Sequence, residues 1–262
     1  YDLNEPVDSI IYRQIYERER DHWWFQGRRA VINTVLGRCI SGKVADALDI
    51  GCGTGFNAQL LKEYAHTVYG LDPSNQACEF VRLTGAAVVL LKGEFPLYQD
   101  VRKYHLVSLF DVLEHIQDDG EALKKVQDLL HPGGVAVLTV PALPLLWSEH
   151  DVLAHHRRRY TKQTLTDAIS SHTNLEIERM SYFNFFLFLP ILLFRKIKRR
   201  MRSPDREDSS DIFEVPRFLN SLLLKIFLME SYALRHINFP IGVSLICVVR
   251  KNDASRQSSH EK

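Results

Sequence analysis

The stretch DIGCGTGF, residues 49 to 56, sets three glycines at every second position directly after the apolar run VADAL. A residue without a Cβ admits positive φ and lets a bound molecule lie against the main chain, so alternating glycines after a strand mark a ligand loop. The spacing narrows the ligand. A dinucleotide fingerprint reads GxGxxG, its third glycine set for close helix packing beneath a pyrophosphate. Here the spacing is GxGxG, over Gly51, Gly53 and Gly55. Asp49 at the head of the loop would repel a pyrophosphate but can orient an amino group, through water or the loop. Asp72 ends the next apolar run, in YGLDPS, where a carboxylate can accept hydrogen bonds from both hydroxyls of a ribose. A ligand made of a nucleoside and an amino acid fits both, which describes S-adenosyl-L-methionine. The competing reading of Asp72 is a cap for the helix that PSNQ begins.

Apolar runs alternate with helical patterns over the first 180 residues or so, the rhythm of a parallel sheet. Strands are predicted at 44 to 50, 67 to 72, 86 to 93, 104 to 110 and 133 to 141, with two more from LEIERMSYF and GVSLICVVRK. Helices are expected from GFNAQLLKEYA and DDGEALKKVQDLL, the second closed by the turn HPGG at 131 to 134. Thr161 is placed to cap a further helix, and Cys52 is read as a small filler.

At 262 residues, 45% hydrophobic and 25% charged, the chain can bury a full core. The net charge of +1 provides no field for gripping nucleic acid, so none is expected. The four cysteines are widely spaced, with no CxxC pair and no zinc spacing; no metal site is expected, and a reducing, cytoplasmic setting suits them. The first residues show neither a basic start nor an apolar core of a secretory signal, and the missing Met suggests a trimmed start.

Five segments in order carry a resemblance to the class I S-adenosylmethionine-dependent methyltransferases: LDIGCGTG, VYGLDPS, LKGEFPL, VSLFDVLEHI and LHPGGVAVLTVP. The shared LEH and LxPGG resemble the subgroup of methyltransferase type 11 and ubiquinone-type O-methyltransferases. The likeness covers residues 22 to 180 or so, plus the last strand. It implies an α/β, Rossmann-like, doubly wound and mainly parallel seven-stranded sheet with helices on both faces. It also implies that Gly51, Gly53 and Gly55 line the methionine part of the cofactor, that Asp72 holds the ribose, and that Glu94 stands near the adenine. Phe110 and Asp111 follow the fourth strand towards the cofactor, and Arg29, favoured over Arg28, reaches its carboxylate. The neighbouring WWF, residues 23 to 25, reads equally as lid or core.

The segment WSEHDVLAHHRRRYTKQTL, residues 147 to 165, follows the fifth strand on the side where such sheets bind ligands. His150, His155 and His156 are candidate bases for deprotonating an acceptor hydroxyl. His115 is another, or else Glu114 and His115 form a local brace. Arg157, Arg158 and Arg159, with Tyr160, can clamp a phosphate or carboxylate of the acceptor, or pair with Asp151 and Glu149.

Between the last two strands lies an insertion. SYFNFFLFLPILLF, residues 181 to 194, is too short to cross a hydrocarbon core of ~20 residues, and RKIKRRMR follows it at once. That order suits a segment dipping into an anionic membrane surface. The acidic linker SPDREDSSD and a second apolar helix, RFLNSLLLKIFLMESYAL, come next, and packing on the domain or across a homodimer is the other use of these helices. The expected organisation is a helical cap at 1–43, a cofactor-binding core at 44–180, the insertion at 181–240, a last core strand at 241–251 and a disordered tail at 252–262. These readings imply methyl transfer to oxygen of a small-molecule or lipid-linked, isoprenoid or glycan acceptor, at the cytosolic face of a membrane. The alternatives are a noncatalytic cofactor-binding scaffold and an NAD or nucleotide-sugar enzyme.

Overall fold

A computed structural model describes residues 16–85, 87–200 and 215–253, side chains excepted at 198–200. The first fifteen residues of the expected cap, the tail beyond Asp253, the whole acidic linker and the end of the basic run lie outside the described residues. The strands are β1 (Val44–Ile50), β2 (Ala65–Asp72), β3 (Val89–Lys92), β4 (Tyr104–Phe110), β5 (Leu130–Pro141), β6 (Leu175–Phe183) and β7 (Ser244–Lys251). The helices are α1 (Trp23–Cys39), α2 (Phe56–Leu61), α3 (Asn75–Leu83), α4 (Asp119–Leu129), α5 (Glu149–Leu153), α6 (Lys162–His172), α7 (Phe188–Arg200) and α8 (Arg217–Ala233). All seven strands join one sheet in the order β3-β2-β1-β4-β5-β7-β6. Only β7 runs against its neighbours β5 and β6.

The central strands are apolar on both faces because helices cover both. Ala47, Leu48, Leu106, Val107, Leu109 and Val137 are all buried in one core. The strand order reverses between β1 and β4, and the loops leaving their carboxyl ends diverge there, opening a crevice. The glycine loop and Asp111 stand on its two sides.

Several boundaries differ from the sequence reading. β3 is only Val89–Lys92, because this edge strand pairs with β2 alone. HPGG is not a turn before β5 but part of it, a register shift opposite Tyr104 and Leu106. The strand ending at Phe183 takes in the first three residues assigned to the insertion. Thr161 does cap α6, accepting from Thr164 N at 3.1 Å.

The second insertion helix belongs to the domain. Asn220 of α8 accepts from Trp23 N and donates to the Asp21 carbonyl, both at 2.9 Å, which fixes α8 along α1. Close contact depends on Gly27: a Cβ there would lie 2.1 Å from Phe227 Cδ1. Phe227 is 1% exposed and faces Phe183, so it is a core residue and not a dimer contact. Losing a buried Phe of this kind costs about 3–5 kcal/mol. Among the described residues, no helix is long and apolar enough to cross a membrane.

Candidate active site

The three loop glycines all have positive φ but serve different ends. A Cβ on Gly51 would meet Val112 Cγ2 at 2.6 Å, and one on Gly55 would meet Val81 Cγ2 at 2.9 Å, so these two are glycine to admit protein. A Cβ on Gly53 would meet only Gly51 O, at 4.0 Å, and would otherwise enter open crevice. Gly53 is therefore the residue whose bare face is left for a ligand.

Two buried carboxylates stand by this face. Asp49 accepts from Ser108 Oγ at 2.6 Å through Oδ1, while its Oδ2 has no hydrogen-bond partner among the described residues. Burial pushes its carboxyl up to about 7, against the opposing effects of Ser108 and the Arg28 charge. An ammonium group brought to Oδ2 would supply the missing partner. Asp72 accepts from Gly53 N at 3.0 Å and from Ser74 N at 2.9 Å. It shapes the loop, but it is not the cap of α3, which is Ser74. Each oxygen keeps a lone pair, so a ribose diol remains within its chemistry. Open glycine face, orphan acidic oxygen and strand-end carboxylate together fit S-adenosylmethionine.

Around Asp111 the sequence reading needs a correction. Arg28, not Arg29, turns into the crevice: its guanidinium is buried, lies 4.8 Å over the Trp24 ring, and pairs with Asp111. Successive helix residues point about 100° apart, so only one of the pair can face inward. Arg29 instead donates to the Glu19 carbonyl at 2.6 Å and lies over Phe56. Thr139 Oγ1 fixes Asp111 from the other side at 3.1 Å. Phe110 is buried in the core at the end of β4, and Glu94 is exposed on the loop after β3. Glu19, unnoticed in the sequence, covers the loop by accepting from Thr54 Oγ1.

Beside Asp111 opens a cavity of about 350 Å³, whose walls come from segments far apart in sequence. Trp23 and Trp24 of α1, Ile191 and Phe194 of α7, and Leu223 of α8 supply apolar surface. The polar lining includes Asp111, Glu114, His150, His156, Arg159 and Asn184. Asn184 is 1% exposed, has a φ of 59°, and neither its Oδ1 nor its Nδ2 has a hydrogen-bond partner among the described residues. A buried unpaired amide costs about 1–3 kcal/mol, so this position asks for a ligand that both donates and accepts. Its only signal in the sequence is one amide inside the apolar run YFNFF. Both oxygens of Glu114 are likewise unpartnered and fully buried. Burial, together with the nearby Asp111 charge, pushes the Glu114 carboxyl well above the ordinary carboxylate range.

The 147–160 segment is bound mostly to itself. Arg159 forks onto Asp151 at 2.7 and 3.0 Å and donates to the Ala142 carbonyl at 3.0 Å. Arg158 pairs with Asp119 at 2.8 Å, and Arg157 donates to the His115 carbonyl at 2.9 Å. Tyr160 is buried and donates to Asp119 at 2.8 Å. These four residues, read as an acceptor clamp, are already committed to carboxylates and carbonyls that hold the segment closed. Of the four, only Arg159 shares its carboxylate partner, Asp151, with His156. Asp151 accepts from His156 Nδ1 at 2.9 Å, which leaves Nε2 directed towards Glu114 Oε1, 3.9 Å away. Burial alone would raise the Asp151 carboxyl, but the His156 and Arg159 hydrogen bonds hold it well below the ordinary range. Of the other histidines, His150 lines the cavity, whereas His155 and His115 are exposed beside it. Glu114, His115 and His156 bring ligand atoms within 4.8 Å of one another, a grouping with no linear metal spacing.

The methyltransferase-domain family matches residues 17–180 of this chain. A Mycolicibacterium smegmatis protein named "Probable S-adenosylmethionine-dependent methyltransferase" is 31% identical over 124 residues, 46% of each chain. The ubiquinone biosynthesis O-methyltransferase of a Shewanella species is 26% identical over 149 residues, 50% of this chain and 61% of that one. The chain thus matches about half the length of these curated relatives. In fold it is similar to the N-methyltransferase NodS of Bradyrhizobium japonicum, solved with S-adenosyl-L-homocysteine. The TM-score is 0.55 at 12% identity, over 93% of this chain and 97% of that one. The family covers well over half of the chain, so this chain belongs to the class I S-adenosylmethionine-dependent methyltransferases.

Proposed function

We propose that the chain transfers the methyl group of S-adenosylmethionine to an oxygen of an acceptor with an apolar body and a hydroxylated head. The observation that carries this reading is the cavity: apolar walls of Trp23, Trp24, Phe194 and Leu223 around the unpartnered polar atoms of Asn184 and Glu114. Bound S-adenosylmethionine supplies a methyl group on a sulfonium centre. Gly53, Asp49 and Asp72 are the residues to hold it. The acceptor's head lies between Asn184 and the buried Glu114, its hydroxyl proton passes to His156 Nε2 as the oxygen takes the methyl group, and Asp151 stabilises the resulting imidazolium. Trp23 and Trp24 exclude water, so most of the acceleration comes from positioning. Oxygen is favoured because a hydroxyl needs a base where a free amine does not, and the Shewanella relative is named an O-methyltransferase.

A membrane-bound or lipid-linked acceptor is part of the proposal. Leu189, Leu193 and Ile197 make an exposed apolar row on α7, and Phe218, Leu222 and Met229 make another on α8. Both helices also wall the cavity, so a lipid-borne acceptor would reach it from the surface these rows contact. Arg195, read as the first head-group contact, instead donates to the Leu146 carbonyl at 2.6 Å, and the role falls to the basic residues after it. The protein would work on the cytosolic face.

The test is to incubate the chain with methyl-labelled S-adenosylmethionine and a bacterial lipid extract, then separate the phases. Label in the organic phase, in an alkali-stable methyl ether, is the expected result. Label confined to water-soluble amines would overturn the acceptor assignment. Cofactor uptake without transfer to any fraction would favour a noncatalytic binder of the same fold.

A further inference from the structure

A second concave surface lies at the opposite end of the sheet from the glycine loop. It is a depression of about 470 Å³ between the last turn of α1, β6, the end of β7 and the segment after α8. Arg38, Arg179, Arg235 and Arg250 line it, with Glu178 as the only carboxylate among its lining residues. That carboxylate is taken: Arg250 forks onto both of its oxygens. Arg38 donates to the Arg235 carbonyl, and the Arg235 guanidinium lies 5.2 Å over the Tyr232 ring. Arg179 donates to Asn238 Oδ1 at 2.9 Å and to the Leu234 carbonyl, while its Nη1 is buried with no partner. Arg38, Arg179 and Arg235 therefore line one depression with no carboxylate partner among the described residues.

Arg38 and Arg235 are solvent-exposed and carry no burial cost, but the buried Arg179 Nη1 is a donor that an anion entering the depression would satisfy. A carboxylate offers two acceptor oxygens, fewer than three guanidinium forks can use. A phosphoryl group offers three with more charge, and planar guanidinium groups bind it bidentately. We propose that this depression binds a phosphate or diphosphate group, at a site separate from methyl transfer. The same chemistry is presented by a free phosphorylated metabolite and by a phospholipid head group.

The probes are pyrophosphate and phosphate, titrated calorimetrically, and phosphatidylcholine vesicles with and without phosphatidic acid, tested by cosedimentation. Arg179→Gln risks the fold, since Arg179 ties β6 to the segment after α8. Arg235→Gln and Arg38→Gln carry the test, because each removes a guanidinium without releasing a carboxylate. Pyrophosphate binding that weakens about tenfold or more in each variant is the expected result for a soluble ligand. Phosphatidic acid-dependent sedimentation lost in the same variants is the expected result for a head group. Absence of both kinds of binding in the wild type, or binding indifferent to both substitutions, overturns the proposal. S-adenosylmethionine affinity measured on the same samples should be unchanged, which keeps failure here distinct from failure of the methyltransferase reading.

Discussion

The glycine loop and the 147–160 segment both carry functional-looking residues, yet their chemistry is disposed in opposite ways. The loop leaves atoms unsatisfied: an orphan oxygen on Asp49 and a bare face on Gly53. The 147–160 segment satisfies nearly everything it carries, its arginines closing on Asp151, Asp119 and main-chain carbonyls. A dense run of charge is therefore a poor guide to where a ligand sits, and a buried polar atom without a partner is a better one. By that measure the proposed acceptor side is marked by Asn184 and Glu114, while the arginine run is bound to its own segment and its neighbours.

The largest effect expected from this contrast is on catalysis. His156→Gln should lower the methyl-transfer rate about 10²- to 10⁴-fold, the usual worth of a positioned base, with S-adenosylmethionine affinity unchanged. An equal loss in affinity would move His156 to the cofactor side. Arg159→Met should cost about 3–5 kcal/mol of stability, because it strips a fork from a buried Asp151; thermal unfolding should shift down by about 10 °C. A folded, equally stable variant that fails only in acceptor binding would restore Arg159 as a clamp. Asp72→Ala should weaken S-adenosylmethionine by about 10- to 150-fold, the range for losing hydrogen bonds to a charged group. Unchanged calorimetric affinity would leave Asp72 as a brace for Gly53 and Ser74.

The smallest effect is in pH. Asp49, pushed up to about 7, is neutral in the free protein over a range where an unfolded carboxyl has already ionised. The folded state then binds more protons than the unfolded state, so this group's contribution to stability declines as pH rises from about 4 to about 7. An ammonium ligand favours the ionised form, so S-adenosylmethionine affinity should rise between about pH 6 and 7.5. Asp49→Asn should flatten that rise; a slope that survives the substitution belongs to another group.

How much of this was legible in sequence follows from how local each feature is. The strands, the glycine loop and Asp72 are written in contiguous segments whose periodicity and spacing reflect one strand or one turn. Even there, only the fold tells that Gly51 and Gly55 admit Val112 and Val81 while Gly53 faces outward. The proposed acceptor side is assembled from α1, the segments that follow β4 and β5, α7 and α8, about two hundred residues apart at the extremes. No local pattern announces that Asn184 lacks partners, or that Asp119 will meet Arg158 and Tyr160. Nor does any local pattern say that Arg28 will face Asp111 while Arg29 lies over Phe56, since that depends on how α1 is laid against the sheet.

The division between the two sides is tested most directly by S-adenosylmethionine calorimetry on the wild type, Gly53→Val and Leu223→Arg, each checked for folding. Gly53 faces the crevice and Leu223 lines the acceptor cavity. Binding to the wild type, its loss in Gly53→Val and its retention within about threefold in Leu223→Arg, a change well under the ~1.4 kcal/mol of a tenfold step, is the expected outcome. Retained affinity in Gly53→Val, or loss in Leu223→Arg equal to that in Gly53→Val, would contradict the placement of cofactor and acceptor on separate walls.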